Sequence, residues 1–280
     1  MNQLDCGGRA LDLSRVAIMG ILNVTPDSFS DGGAFLDRER AVAHARAMVA
    51  DGADIIDVGG ESTRPGAASV TAAQEIDRVV PVIKVLARAV SVPISIDTSK
   101  PEVMRAAVAA GAGMINDVRA LRESGALAAA AALQRPVCLM HMHGEPGTMQ
   151  QNPEYGDVVG NVRDYLHARV AVAVAAGIAR EHIVVDPGFG FDKTVAHNLE
   201  LLRRLAELSE LGPLLVGLSR KSMIGKLLGL PVAQRQHASV ALALTAAQNG
   251  ASILRVHDVA ATVQAVRMWE AVNPRATDYA

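Results

Sequence analysis

At 280 residues the chain is long for an average domain and close to the roughly 250 residues a β/α barrel needs. Half of its residues are hydrophobic and only 3% aromatic, with Ala, Val and Leu abundant, which suits parallel strands under amphipathic helices and argues against a β-sandwich. A formal net charge of −2 gives no electrostatic reason to expect nucleic acid or an anionic membrane as a partner, so any bound anion needs a local site.

The first 14 residues fit no repeating unit; a short hairpin or plug under the barrel is expected there. From there on, short apolar runs rich in β-branched residues alternate with helical patterns. In chain order the expectation is strand 16–23, helix 37–51, strand 55–59, helix 72–89, strand 93–97, helix 102–110, strand 114–117 and helix 124–133. It continues with strand 136–141, helix 158–176, strand 183–186, helix 196–208, strand 214–217, helix 236–249, strand 252–256 and helix 259–269. Thr71 with Gln74, and Ser99 with Glu102, have the spacing of capping boxes. Gly111, Gly177 and Gly250 stand just past helix ends, where a left-handed residue closes the last turn. Strict alternation favours a parallel sheet, and eight units favour closure into a (β/α)8 barrel, an α/β fold, over an open sheet.

No linker divides the chain, so residues 1–280 are expected to form one domain. No basic segment followed by an apolar stretch stands at the N-terminus, and no window approaches 18 uncharged apolar residues. The two cysteines, Cys6 and Cys138, have no metal-type spacing, and Cys138 reads as a small buried hydrophobe. A cytoplasmic, reducing location is the resulting expectation.

Chemistry in such a barrel sits at the carboxyl ends of the strands. Here those ends carry Asn23, then Glu61-Ser62-Thr63-Arg64, Asp97, Asn116-Asp117, His141, Asp186, Ser219-Arg220-Lys221-Ser222 and Arg255-Val256-His257-Asp258. Asp97, Asn116, Asp186 and Lys221 suit a planar polar heterocycle, because carboxylates match a two-donor edge such as a 2-amino-pyrimidinone. Arg255 and His257 are two apart and share a face in extended chain; with Asn23, Ser62 and Thr63 they suit a phosphate or pyrophosphate.

The run from Met19 to Gly33, with Asn23-Val24-Thr25-Pro26-Asp27-Ser28-Phe29-Ser30-Asp31 at its centre, resembles the opening signature of bacterial dihydropteroate synthases. So do Gly60-Glu61-Ser62-Thr63-Arg64-Pro65-Gly66, Ile96-Asp97-Thr98, Ile115-Asn116-Asp117, Asp186-Pro187-Gly188-Phe189-Gly190-Phe191, Gly217-Leu218-Ser219-Arg220-Lys221-Ser222 and Arg255-Val256-His257-Asp258, in the expected order over nearly the whole chain. The resemblance implies a transferase that joins 6-hydroxymethyl-7,8-dihydropterin pyrophosphate to p-aminobenzoate and releases pyrophosphate, in folate biosynthesis. It places the pterin among Asp97, Asn116, Asp186 and Lys221, with Met140, Phe191 and Arg255. Asn23, Ser62, Thr63, Arg255 and His257 are implied around pyrophosphate, with Asn23 and Asp31 facing a Mg²⁺. Phe29, Thr63, Arg64, Pro65, Lys221 and Ser222 are implied around p-aminobenzoate, where sulfonamides bind in this family. Asp97, Lys221, Asp31 and Arg64 are the implied catalytic set, and a homodimer is the implied assembly.

Blander readings stand beside these. Asp117 and Asp258 read equally well as helix caps, and Glu61 as a structural carboxylate. His141 and His143 have no third ligand to make a metal pair. His143 stands where the family pattern has glutamine, and Asp192 where it has glycine; both are expected to tune affinity rather than abolish function. A corrinoid-dependent methyltransferase domain would share the barrel and the pterin carboxylates, but has no use for a pyrophosphate grip. A non-catalytic paralogue remains the other alternative, against which the intact loop residues stand.

Overall fold

The computed structural model describes residues 3–25, 33–62, 69–142 and 155–273, with backbone alone for 33–36. Strands β1 (Gln3–Asp5) and β2 (Ala10–Asp12) form an antiparallel hairpin with Leu4 opposite Leu11. Eight parallel strands follow: β3 (Ala17–Asn23), β4 (Ile55–Gly59), β5 (Ile94–Asp97), β6 (Met114–Asp117), β7 (Val137–Met140), β8 (Ile183–Asp186), β9 (Leu215–Val216) and β10 (Ile253–Val256). Their order is β8-β7-β6-β5-β4-β3-β10-β9, and a parallel bridge between Val185 and Leu214 joins the two ends, so the sheet closes into a barrel. Around it run α1 (Gly33–Ala50), α2 (Ala72–Ala89), α3 (Pro101–Ala110), α4 (Ala126–Leu133), α5 (Val158–Ala175), α6 (Val195–Arg203), α7 (Ser222–Leu228), α8 (Gln236–Gln248) and α9 (Val259–Val272).

Two cores result from the two-residue period of the strands. Ile18, Leu22, Ile56, Val58, Ile96, Ile115, Leu139, Val185 and Leu254 belong to the cluster that packs against the helices. The alternate positions Ala17, Met19, Ile55, Met114, Cys138, Val184, Leu215 and Ile253 form a second cluster with Leu4, Cys6, Leu11 and Leu13 of the N-terminal segment. The hairpin is therefore the plug of the barrel floor. It presses so closely on the barrel that a Cβ at Gly113 would lie 2.0 Å from the Cys6 carbonyl oxygen. Burying each such Leu, Ile or Met contributes about 1.5–3 kcal/mol.

Several boundaries differ from the sequence expectation, each for a local reason. The Thr71–Gln74 capping box forms, but Ser99 does not cap α3. Pro101 at the first helical turn makes Lys100 the N-cap, and the Ser99 hydroxyl donates instead to Asp117. The stretch expected as one helix over 196–208 divides into α6 and a 3₁₀ turn, Leu205–Leu211. α7 was not anticipated at all, and α1 begins four residues before the expected start at 37.

Candidate active site

On six of the eight strands one two-residue step leads from a buried lower position, apolar in all but Ser95, to a residue of the rim. Ile55 is followed by Asp57, Ser95 by Asp97, Met114 by Asn116, Cys138 by Met140, Val184 by Asp186, and Ile253 by Arg255. In register Asp97 pairs with Asn116 and Gly59, and Met140 with Asp186, while Asp57 lies one inward step lower, opposite Ser95, and Asn116 lies opposite Cys138. The sheet thus brings Asp97, Asn116, Met140, Asp186 and Arg255 to one end of the barrel.

Arg255 is the centre of the charge network. Its Nη2 donates to Asp97 at 2.7 Å and its Nε to Asp57 at 2.6 Å. Asp57 also accepts from Asn116 Nδ2 at 3.0 Å, and its other carboxylate oxygen has no hydrogen-bond partner. Burial pushes Asp97 up to about 7; Arg255 works against the shift, and Asp57, Glu75 and Asp117 add to it. Burial also raises Asp186, opposed by the Gly188 N–H and by Lys221, Arg255 and Lys193. Lys221 is pushed down by burial to about 8, although Asp186 and Asp97 favour its charge. Burial acts against the charge of Arg255 too, but Asp57, Asp97 and Asp186 outweigh it and hold the guanidinium protonated. Perturbed groups of both signs packed in one place are expected where chemistry is done.

The apolar part of the site is small. Met140, Met142 and Phe191 form a buried cluster with Val118 against it. The Lys221 ammonium stands 4.1 Å from the centroid of the Phe191 ring, a cation–π contact. On the opposite side, Asn23 ends β3. A Cβ at Gly59 would lie 3.8 Å from both Asn23 Oδ1 and Asp97 Oδ2, so the missing side chain leaves the space between amide and carboxylate open. His257, just past β10, has Nδ1 3.0 Å from Ser219 Oγ and its backbone N–H 3.2 Å from the same oxygen. Ser62 is half-buried after β4, and Ser222 is exposed at the start of α7. Phe29, Asp31, Thr63, Arg64, Pro65 and His143 lie outside the described residues.

Other polar strand-end residues brace the site. Asp117 faces away from Asn116 and accepts from Ser99 Oγ and from the backbone N–H of Arg119 and Leu121, holding a turn in which Ala120 and Leu121 are left-handed. Asp258 is the N-cap of α9 but makes no capping bond; it takes a two-point ion pair from Arg220 at 2.6 and 3.0 Å. Arg220 itself has φ +57°, and its clamp onto Asp258 fixes the loop that presents Lys221. Glu61 accepts from Val70 N–H at 2.9 Å and from Lys100 at 2.6 Å, and Lys100 also reaches the buried Glu75 at 2.6 Å. Among the described residues no group of three His, Cys, Asp or Glu could hold a metal. A groove of about 630 Å³, lined by His167, Val170, Val174, Arg180 and Glu210, lies between α5 and the 205–211 turn, at the floor end and away from this chemistry.

A family model described as pterin binding enzyme matches residues 19–257. A dihydropteroate synthase of Escherichia coli is 55% identical over 265 residues, covering 94% of either chain. The chain belongs to the dihydropteroate synthase family. Among solved structures, a Xanthomonas albilineans dihydropteroate synthase with 4-aminobenzoic acid is 55% identical with a TM-score of 0.93, and the match covers 98% of this chain and 99% of that one. The same organism's enzyme in complex with 7,8-dihydropteroate is 52% identical with a TM-score of 0.89, over 98% and 99% of the two chains. As in other dihydropteroate synthases, the activity is that of a transferase of folate biosynthesis on a TIM barrel.

Proposed function

We propose that the rim carries out the synthase reaction with a division of labour between two halves. The observation that carries this reading is the convergence of Asp97, Asn116, Asp186 and Lys221 around Arg255, at one end of a barrel otherwise filled with apolar side chains. The pterin lies against Asp97, Asn116, Asp186 and Lys221, with Met140 and Phe191 as its apolar contacts. Its amino and ring N–H groups match carboxylate and amide acceptors. Arg255, His257, Asn23 and Ser62 face the pyrophosphate, joined by Thr63. Lys221 and Ser222 border the p-aminobenzoate position, together with Phe29, Thr63, Arg64 and Pro65.

The reaction breaks the bond from the pterin methylene carbon to a pyrophosphate oxygen and forms one from that carbon to the aryl amine nitrogen. The amine loses a proton, and pyrophosphate leaves with the bonding pair. Positive charge on the methylene carbon spreads into the electron-rich pterin, and the nearby carboxylate of Asp97 stabilises it. An Asp97 held near 7 by burial gains most from such a cation, because a neighbouring positive charge favours its ionised form. The amine meets an already activated carbon, so the path uses no covalent enzyme intermediate.

The open space between Asn23 and Asp97, and the oxygen donors of Asn23 and Asp31, fit Mg²⁺, which prefers few protein oxygens completed by phosphate oxygens. When bound, the ion supplies charge neutralisation to the leaving pyrophosphate. The segments after β3 and β4 that carry Asp31 and Arg64, which lie outside the described residues, are proposed to close over the site and exclude water. Unchanged protease sensitivity of the first 70 residues with pterin, Mg²⁺ and pyrophosphate would overturn that closure. We further propose a cytoplasmic homodimer. Exposed Met268 and Val272 on α9 support an outer-helix contact, and a monomer in sedimentation would exclude it.

The deciding assay combines the pure protein, Mg²⁺, the pterin pyrophosphate and p-aminobenzoate. Pyrophosphate release that requires both substrates is expected; none from a folded protein defeats the reading.

A further inference from the structure

Behind Asp186 lies a lysine that the proposed path does not use. Lys193 follows the 186–192 turn and immediately precedes Thr194, the N-cap of α6. Its ammonium is 3.0 Å from the carbonyl oxygens of both Gly188 and Phe191 and 2.9 Å from His141 Nδ1. A lysine ammonium has three donors and no acceptor, so three acceptors at these distances satisfy it fully. His141 Nδ1 is then the accepting nitrogen, which assigns the ring proton to Nε2. His141 is fully buried just past β7, with Tyr165 edge-on at 4.9 Å, and its backbone N–H donates to the Asp186 carbonyl at 2.9 Å. One cation thus ties the turn to the neighbouring strand.

The shape of the turn calls for such a tie. Gly188, Gly190 and Asp192 have φ values of +71°, +78° and +48°. A Cβ at 188 would lie 1.9 Å from the His141 carbonyl oxygen, so turn and strand are in backbone contact. The two glycines take this conformation freely, whereas left-handed Asp192 carries a backbone cost that its surroundings must offset. On the other side Asn198 accepts from Gly190 N–H at 2.7 Å and donates to the carbonyls of Lys193 and Thr194. The same turn carries Asp186, whose Oδ1 accepts from Gly188 N–H at 2.7 Å, and Phe191, whose ring meets Lys221. Burial pushes Lys193 down to about 7 while Asp186 and Asp192 favour its charge, so this is a costly place for a cation.

We propose that Lys193, acting with His141, is a positioning residue for the pterin side of the site: its three hydrogen bonds set the 186–192 turn, and with it the Asp186 carboxylate and the Phe191 ring. The proposal rests on the reading of Asp186 and Phe191 as pterin-facing.

Lys193→Met keeps the aliphatic stem and removes all three bonds. By calorimetry its Kd for the pterin pyrophosphate rises about tenfold or more, as expected when charge-assisted bonds that hold a binding loop are lost. Its KM for p-aminobenzoate, with pterin saturating, rises no more than about threefold, because the turn reaches that substrate only through the Phe191–Lys221 contact. His141→Asn retains an acceptor oxygen near the Nδ1 position and binds the pterin pyrophosphate within about threefold of the parent, whereas His141→Ala follows Lys193→Met. Unchanged pterin affinity in a folded Lys193→Met protein, or equal losses for both substrates, overturns the proposal. Should Lys193→Met fail to fold, the two His141 variants decide, and equal affinities in them overturn it. Asp186→Asn separates the levels. Normal pterin binding there defeats the reading of the site, while loss there with none in Lys193→Met defeats only the positioning role.

Discussion

The plugged floor and the charged rim lie on the same strands, one inward-facing position apart, about 7 Å at the rise of a parallel strand. At the floor Ile55, Met114, Cys138, Val184 and Ile253 meet Leu4 and Leu11 and are completely buried, and the perturbed groups there are two thiols: burial pushes Cys6 up to about 12 and raises Cys138 well above its usual value. At the rim the next positions are Asp57, Asn116, Met140, Asp186 and Arg255; all but the partly exposed Arg255 are buried, and burial disfavours the charges of Asp186 and Arg255. The floor therefore contributes stability and the rim consumes some of it. A raised carboxylate and a lowered lysine each mean that the unfolded chain holds its charge more easily than the folded one. The difference teaches that one inward step along most of these strands separates residues that build the core from polar residues that burial strains.

Variants at the two heights should separate cleanly. The largest effect is expected at the rim: Lys221→Ala lowers kcat/KM about 10²–10³-fold, the range for loss of one preorganised charged group, with cooperative unfolding retained. Steady-state kinetics beside a denaturant melt check it, and turnover within a few-fold of the parent would break the comparison. Next comes the floor. Leu11→Ala should cost about 2–5 kcal/mol of stability by leaving a cavity, yet leave KM for both substrates unchanged. An equal loss of activity in the folded population would mean that floor and rim are not independent.

Two smaller effects sharpen the same contrast. Asp97, held near 7, takes up a proton as pH falls through that value, so kcat/KM for the pterin substrate should drop on the acid side of about 7. Asp57→Asn removes a negative neighbour and should move that limb to lower pH; a limb that stays put in the variant would remove Asp57 from the network. The smallest effect is on stability. The folded pKa of Asp97 is above its unfolded value, so its penalty grows as pH rises from about 4 to about 7 and is complete above that. At pH 8, Asp97→Asn should then melt about 2–4 °C higher, on the order of 1 kcal/mol, while losing activity. A lower melting temperature would show that the carboxylate stabilises the fold through Arg255 more than its burial costs.

Much of this contrast is legible in the chain, and the omissions have physical causes. Periodicity places β4, β6, β8 and α2 to the residue, because apolar runs there end in Gly, Asp or a capping Thr. It brings Asp97, Asn116, Asp186 and Arg255 to one end because each is the last or next-to-last residue of its strand. It passes over Asp57, which sits inside an apolar run; parity with Gly59 was the available signal, since an inward carboxylate in a buried strand requires a cation. Lys193 gave no signal either, because its acceptors are backbone carbonyls and a histidine 52 residues away. Ser99 was misread as a cap because spacing alone does not reveal the competing carboxylate of Asp117.

The hairpin at the floor also bears on the order of assembly. Its partners Ala17, Ile55, Met114, Cys138, Val184, Leu215 and Ile253 come from seven strands spread over nearly the whole chain. The hairpin therefore has no complete seat until the last strand is in place. Its docking joins residues up to about 250 positions apart, and loop-closure entropy makes such long-range contacts slow. Until β10 inserts between β3 and β9, Leu4 and Leu11 lack part of the apolar wall that covers them, so closing the barrel and seating its plug are one event rather than two.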